Sequence, residues 1–416
     1  MSERIMLDCK LRIARSEFRR SFRQFVIAFA VIAASAIPSF AGETTTPTYS
    51  QALDALYNLD FSDAEHAFSS LVGEDPPNPD YWNGLASTIW MKILYDQRKF
   101  NIDSYSGSSI GTTRSHDSVN PDDEKRLRDA IGIAMTRANA MLTKNPKDVR
   151  ALYAIGVSNA TLAAFEGISK RSYLTALSRA KAARRYHEKV LSIDANFSDA
   201  LLSIGTYDYG ASVIPLPFRF ALLGMFGASG SGKDEGIRKL EIVASSGSRA
   251  STDAKMILIA IYNREGRYDQ SLQFIDELLA KYPRNFQFEM DRAAVYGRMK
   301  NWSQAVSAYQ HILSKVQTKQ DGYDRLRAER VYAQIGRANV NQLKLDEAIA
   351  AFNEIVGSSK AADDEKADAH LRIGKIYDSR SERDKATQEY DAILKLNCGK
   401  PYQNDAKGYL NKPFKD

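Results

Sequence analysis

Cysteine is almost missing from this chain: Cys9 and Cys398 are its only two among 416 residues. A disulfide framework and a cysteine-rich zinc site are therefore excluded. Histidine is nearly as scarce. His66, His116, His187, His311 and His370 lie far apart, and none belongs to an H-E-x-x-H pattern. Four fall in helical stretches and read as surface or partly packed side chains; no metal and no cofactor is implied. The apolar run Phe25 to Ile37 is 13 residues long, whereas spanning a bilayer takes roughly 20. A lasting excess of one charge is also absent. Of 57 basic and 51 acidic residues, 7 and 3 lie in residues 1–41, leaving 50 against 48 and a net charge near +2. That balance gives no ground for nucleic-acid binding.

Residues 1–41 have the order of a secretory signal: a basic stretch from Arg4 to Arg23, the apolar run, then Pro38 and Ser39-Phe40-Ala41 before Gly42. Cleavage after Ala41 and export to the periplasm or cell envelope are expected, with an uncleaved anchor as the alternative. Arg19-Arg20-Ser21-Phe22 partly resembles a twin-arginine signal, but Gln24 stands where a lysine belongs, so ordinary unfolded export is favoured. Cys9 leaves with the signal and Cys398 is then alone. The remaining chain of about 375 residues exceeds what one hydrophobic core usually serves, a limit that stacked repeats escape.

What the chain does have is a repeat with a step of 34 residues between 252 and 319. Tyr262 recurs as Tyr296, Tyr268 as Trp302, Ser271 as Ala305 and Ile275 as Tyr309. Leu258, Tyr262, Gly266, Tyr268, Ser271, Ile275, Leu278 and Pro283 fill one unit, and Ala293, Tyr296, Trp302, Ala305, Tyr309 and Ile312 the next. Two more copies follow: Ile335-Gly336 with Ala348, Phe352 and Ile355, and Ile373-Gly374 with Ala386, Tyr390 and Ile393. The small residue lets two helices approach, and the aromatic four residues after Ala fills the gap. This pattern resembles the tetratricopeptide repeat family. The resemblance implies an all-α, right-handed helical-repeat solenoid of seven to eight helix pairs. Its tyrosine stripe (262, 296, 309, 377, 390) is then repeat core, with no aromatic recognition box.

The first half, residues 42–210, is looser. Leu59, Phe61, Ala64, Phe68, Leu71 and Pro76 give a second-helix pattern, and Trp82, Leu85 and Ala86 open the next first helix. Ile155-Gly156 and Ile204-Gly205 open two more. Residues 100–121 are rich in Ser, Gly, Thr, Asn and Asp and read as an inserted loop. Regular repeats occupy 233–400, and 401–416 form a C-terminal tail. Between the halves, residues 211–232 read as an apolar hairpin and a Gly-rich turn. Gly210, Pro215, Pro217, Leu222, Gly224, Gly227, Gly230, Glu235, Gly236 and Leu240 carry a second likeness. Over residues 205–240 the chain resembles the eukaryotic tetratricopeptide family linked to the mitochondrial outer membrane and inclusion clearance, which implies a shared repeat lineage.

Gly227 to Lys233 satisfies G-x-x-x-x-G-K, the spacing with which backbone N–H groups ring a phosphate. The next residue should hold Mg²⁺ through a hydroxyl, but it is Asp234, and Pro215 and Pro217 stand where a buried strand should lead in. A turn with Asp234 opening the next helix is the plainer account. Asp363-Asp364-Glu365-Lys366 reads as the charged start of the last repeat's first helix.

Three functions remain. The first is an exported, non-enzymatic scaffold that binds a protein or peptide in a concave groove. By the family's register the groove face holds Arg264, Arg298, Arg330, Arg337, Asn341, Arg372 and Lys375, mixed with Asp253, Asp291, Asp368 and Asp378. The arginine forks suit an acidic or C-terminal-carboxylate ligand; salt bridges along a solvated face are the competing account. The second is a membrane- or lipid-associated protein docking through residues 211–228, with Phe218, Phe220, Leu223 and Phe226 as the apolar contacts. Packing of that segment between repeats is its competitor. The third is a nucleotide-binding enzyme using loop 227–233. Oligomeric state is left open by the sequence.

Overall fold

A computed structural model describes residues 47–99, 118–213 and 232–415, with no strand among them. The leader, most of the 100–121 insertion and residues 214–231 lie outside the described residues. Two compact units divide between Phe274 and Ile275. The N-terminal unit holds α1 (Tyr49–Tyr57), α2 (Phe61–Glu74), α3 (Pro79–Asp96), α4 (Pro121–Lys144), α5 (Val149–Ile168) and α6 (Tyr173–Ile193). A 3-10 turn (Ser198–Ala200), α7 (Leu201–Ser212), α8 (Lys233–Ser245), α9 (Ser251–Glu265) and the first half of α10 (Tyr268–Lys281) complete it. The C-terminal unit continues α10 and adds α11 (Phe286–Arg298), α12 (Trp302–Gln317), α13 (Ala328–Asn341), α14 (Leu345–Gly357), α15 (Asp363–Ser379), α16 (Arg383–Leu394) and α17 (Lys400–Asn411). Taken in order, the described helices make eight pairs and a closing helix.

Helix starts follow local chemistry. Thr48 and Gln51 form a reciprocal capping box at α1. Asn78-Pro79 and Asn120-Pro121 open α3 and α4 with a side-chain cap and a proline whose missing N–H costs nothing there. Turns within pairs share one backbone device. Leu59, Arg171, Gly266, Lys300, Leu343 and Ser381 have φ of 64°, 55°, 74°, 59°, 59° and 63°, and each stands two residues before its second helix. Only the first of the regular repeats meets that left-handed requirement with glycine. Leu343 is 83% exposed, so its side chain offers little packing against the strain. Leu343→Gly is expected to raise stability by about 0.5–1 kcal/mol, read from the urea midpoint at unchanged slope.

Packing within the regular pairs follows the small-and-aromatic pattern. A Cβ on Gly336 would sit 2.5 Å from the Phe352 ring, and one on Gly374 2.5 Å from Tyr390. Ala348, Phe352 and Ile355, like Ala386, Tyr390 and Ile393, are at most 3% exposed. Of the tyrosine stripe, Tyr262, Tyr309 and Tyr390 are buried, while Tyr296 and Tyr377 are half-buried.

The looser spacing of the N-terminal half comes from helix length: α4, α5 and α6 have 24, 20 and 21 residues. α5 is buried from Ala151 to Gly167. Its length and hydropathy would also suit a membrane, but α3, α4, α6 and α7 pack against it, which makes it a core helix. His187, expected to be a surface or partly packed residue, is instead buried against α5. Ala183, His187 and Val190 repeat the Ala–aromatic–apolar spacing of the other second helices, and the imidazole takes the aromatic slot. A Cβ on Gly156 would lie 2.1 Å from its Nε2. The ring stacks on Tyr153 at 4.7 Å, Nε2 faces the Tyr153 carbonyl at 3.2 Å, and Nδ1 pairs with the Ser203 hydroxyl.

α7 and α8 approach backbone to backbone. A Cβ on Gly236 would be 2.6 Å from the Tyr209 nitrogen and 2.8 Å from the Gly205 oxygen. The Glu235-Gly236-x-x-x-Leu240 start thus has a packing reason, and Leu240 is fully buried. Beside this crossing, Asp208 is wholly buried with Arg184 Nη1 at 2.9 Å and Lys239 Nζ at 2.6 Å. Across the same unit, the Tyr57 hydroxyl of α1 donates to Asp253 of α9 at 2.7 Å.

Candidate partner-binding surface

The groove positions expected from the sequence fall in both units. In the N-terminal unit, Arg264 is half-buried near Tyr209 and Glu265. Asp253 is buried and serves Tyr57, so it is structural. In the C-terminal unit α11, α13 and α15 supply the rest. Arg298 and Arg330 are half-buried, and Asp291 accepts from Gln287 at 2.9 Å.

α13 and α15 converge. Arg337 Nη2 and Arg372 Nε, from successive first helices, meet the same oxygen of Asp368 at 3.4 and 2.8 Å. Burial pushes the Asp368 carboxyl up, but the two guanidiniums outweigh it and hold the group below its ordinary range. Tyr402 of α17 stands close by, its phenol pushed up to about 12 by burial and by the carboxylates of Asp368 and Asp364. Arg337 and Arg372 keep 42% and 35% side-chain exposure. Two cations sharing one anion leave a net positive charge on two partly exposed guanidiniums, the kind of group that recognises a carboxylate. Asn341 is exposed one turn along, donating to the Arg337 carbonyl at 2.8 Å.

The far end of α15 is covered by the chain itself. Lys375 Nζ lies 5.0 Å from the Tyr409 ring centre and 4.9 Å from that of Phe414. Asp378, 1% exposed at its side chain, accepts from Arg383 at 3.0 Å, Tyr390 at 2.9 Å and the Phe414 amide at 2.8 Å. At the opposite end of α15, Asp363 and Asp364 accept from the amides of Asn397 and Gly399, in the turn before α17, at 2.9 and 2.7 Å. Of the expected site residues on α13 and α15, those left uncovered by the C-terminal segment therefore lie on α13 and the middle of α15.

The remaining chemistry-bearing patterns are placed as follows. Lys233 opens α8 and its Nζ is 2.6 Å from Glu265, with Asp234 in the first turn of that helix. Residues 227–231 lie outside the described residues, as do Phe218, Phe220, Leu223 and Phe226. So does Gly107-Ser-Ser-Ile-Gly111, which spells the G-x-S-x-G order of a nucleophile elbow. The described elements on either side of it, α3 and α4, are helices, whereas an elbow leaves a strand. His66 and His311 are exposed, and His370 pairs with Glu389 at 2.6 Å. Among the described residues no three His, Cys, Asp or Glu side chains gather as a metal site.

These helix pairs define an all-α repeat protein. Residues 49–92, spanning α1, α2 and most of α3, match the tetratricopeptide repeat model. The chain thus carries a tetratricopeptide repeat over those residues, within an all-helical repeat fold; proteins of this repeat family are in general non-catalytic scaffolds that bind proteins. No curated protein matches the chain. Among solved structures, a chain of the APC/C Cut9–Hcn1 hetero-tetramer is similar at 15% identity and TM-score 0.41, over 84% of this chain and 52% of that one. This chain thus spans about half of that match. Human IFIT1, in a dimer with m7Gppp-AAAA, is similar at 12% identity and TM-score 0.40, over 95% and 85% of the two chains. A tetratricopeptide repeat protein from Parabacteroides merdae is similar at 15% identity and TM-score 0.28, over 75% and 92%. Likenesses this distant carry no residue role, ligand or partner over to this chain.

Proposed function

We propose that this chain is an exported, non-enzymatic scaffold of the cell envelope. It holds a protein or peptide by an acidic side chain or C-terminal carboxylate on the α13–α15 face. The observation that carries the proposal is the convergence of Arg337 and Arg372, from two successive repeats, on one carboxylate oxygen with their outer edges still exposed. Asp368 occupies the place a ligand carboxylate would share. Export rests on the leader-like order of residues 1–41.

Selection from a library of peptides with free C termini tests the binding half. Wild type should enrich acidic or carboxylate-terminal sequences, and Arg337→Glu/Arg372→Glu should lose them at least about tenfold at low salt with helicity unchanged. Enrichment that survives the double reversal would refute the groove. N-terminal sequencing of the cellular protein tests the other half: a start at Gly42 is expected, and intact residues 1–41 in the membrane fraction would contradict it.

A further inference from the structure

α4 and α6 both pack on α5 and share one apolar cluster, in which Met141 and Leu142 of α4 and Tyr186 of α6 pack against Ala138 and Ile155. From Arg137 to Lys147 and from Tyr173 to His187 the sequence contains no acidic residue but seven cations. The first half of α4 carries Asp122, Asp123, Glu124 and Asp129, so the local concentration of positive charge is confined to these two acid-free stretches, in a chain with 57 basic and 51 acidic residues. The solvent-facing stripe of α6 runs Leu174, Ser178, Lys181, Arg185, Lys189, Ile193, all exposed and spaced three to four residues apart on one side of the helix. Glu188, the single acid of α6, is taken by Arg184 at 2.7 Å. Lys144 and Lys147 extend the basic surface from the end of α4 and the turn after it.

The stripe is also apolar at both ends. Leu174 and Ile193 are 55% and 42% exposed, two of the five large apolar side chains so exposed among the described residues. They bracket the cations at a separation of about 28 Å along the helix. Arg185 and Lys189 flank the Tyr186 ring at 5.6 and 5.5 Å, giving an amphipathic ring beside the charges. We propose that this face of α4 and α6 docks on an anionic phospholipid bilayer. The lysines and arginines meet lipid phosphates, and Leu174 and Ile193 enter the boundary between headgroups and acyl chains. A nucleic acid would satisfy the cations but offers no apolar layer for Leu174 and Ile193. This surface lies in the N-terminal unit and does not depend on the α13–α15 groove.

The test uses the full chain and vesicles of phosphatidylcholine, alone or with about one third phosphatidylglycerol. A polarity-sensitive fluorophore is attached through Ser178→Cys in a Cys9→Ser background, Cys398 being buried. Its emission should shift to the blue on the mixed vesicles, return with added salt, and stay unchanged on phosphatidylcholine. Lys181→Glu/Arg185→Glu/Lys189→Glu should weaken binding to the mixed vesicles about a hundredfold, at about fivefold per cation. The fluorophore reading does not depend on whether the triple variant folds. No shift on mixed vesicles, an equal shift on neutral ones, the same shift with duplex DNA, or unchanged affinity of a folded triple variant would each overturn the proposal.

Discussion

Replacing Asp208 by Ala is expected to cost about 3 kcal/mol, the largest single loss outside the apolar core. The carboxylate is fully buried between α6, α7 and α8, with Arg184 and Lys239 at 2.9 and 2.6 Å. Removing it leaves two mostly buried cations facing each other across an apolar crossing. Their second partners soften the loss: Arg184 keeps Glu188 at 2.7 Å and Lys239 keeps Glu235 at 3.6 Å. The expected cost therefore sits at the low end for a broken buried pair, about 3–5 kcal/mol. Replacing all three by apolar residues of similar size should restore most of the stability, because no charge then remains to be desolvated. Urea unfolding of the single and triple variants checks both. A triple variant less stable than Asp208→Ala would show that the cluster contributes more than mutual neutralisation.

The second large effect is a loss of stability in mild acid. Burial lowers the His187 pKa from 6.5 to about 4. The unfolded chain therefore takes up this proton first as pH falls. His187's contribution is fully present above about pH 6.5, declines below it, and is gone under about pH 4. Between pH 7 and pH 5 the loss is about 2 kcal/mol. Asp80 works in the other direction, since burial raises its carboxyl to about 6, so the whole-protein profile mixes both signs. The difference between wild type and His187→Phe isolates the histidine, because Asp80 is common to both. Phe restores the aromatic used in the same slot at Phe68 and Phe352, though it strands the Ser203 hydroxyl. The stability difference should move in the variant's favour by about 2 kcal/mol from pH 7 to pH 5. A difference independent of pH would mean that His187 is not buried neutral.

The two halves differ in how much of them the sequence reveals, and for a physical reason. In the C-terminal unit each pair has one small slot, one aromatic and one turn, so Gly336–Phe352 and Gly374–Tyr390 can be read from spacing alone. In the N-terminal unit longer helices separate the partners: Gly156 and His187 are 31 residues apart, where the regular repeats use 16. Ala183, His187 and Val190 carried the signal, but histidine in an aromatic slot hides it. The left-handed turn positions escaped because five of the six are not glycine. The placing of these arginines on first helices was legible by register, but the capture of two of them by Asp368 was not, since it joins residues 31 apart. Phe414 and α17 covering the end of α15 is likewise a matter of tertiary contact. The acid-free stretches of α4 and α6 were in plain view, yet only their common packing on α5 makes one surface of them.

The most direct test of the account is a calorimetric titration of one selected peptide into wild type and Arg337→Glu/Arg372→Glu, with its C terminus free and amidated. Partner capture by the convergent arginines predicts measurable binding of the free-carboxylate form to wild type. Amidation and the double reversal should each lose at least about tenfold, with little further loss when combined because both remove the same contact. Equal binding of both peptide forms to both proteins would contradict it.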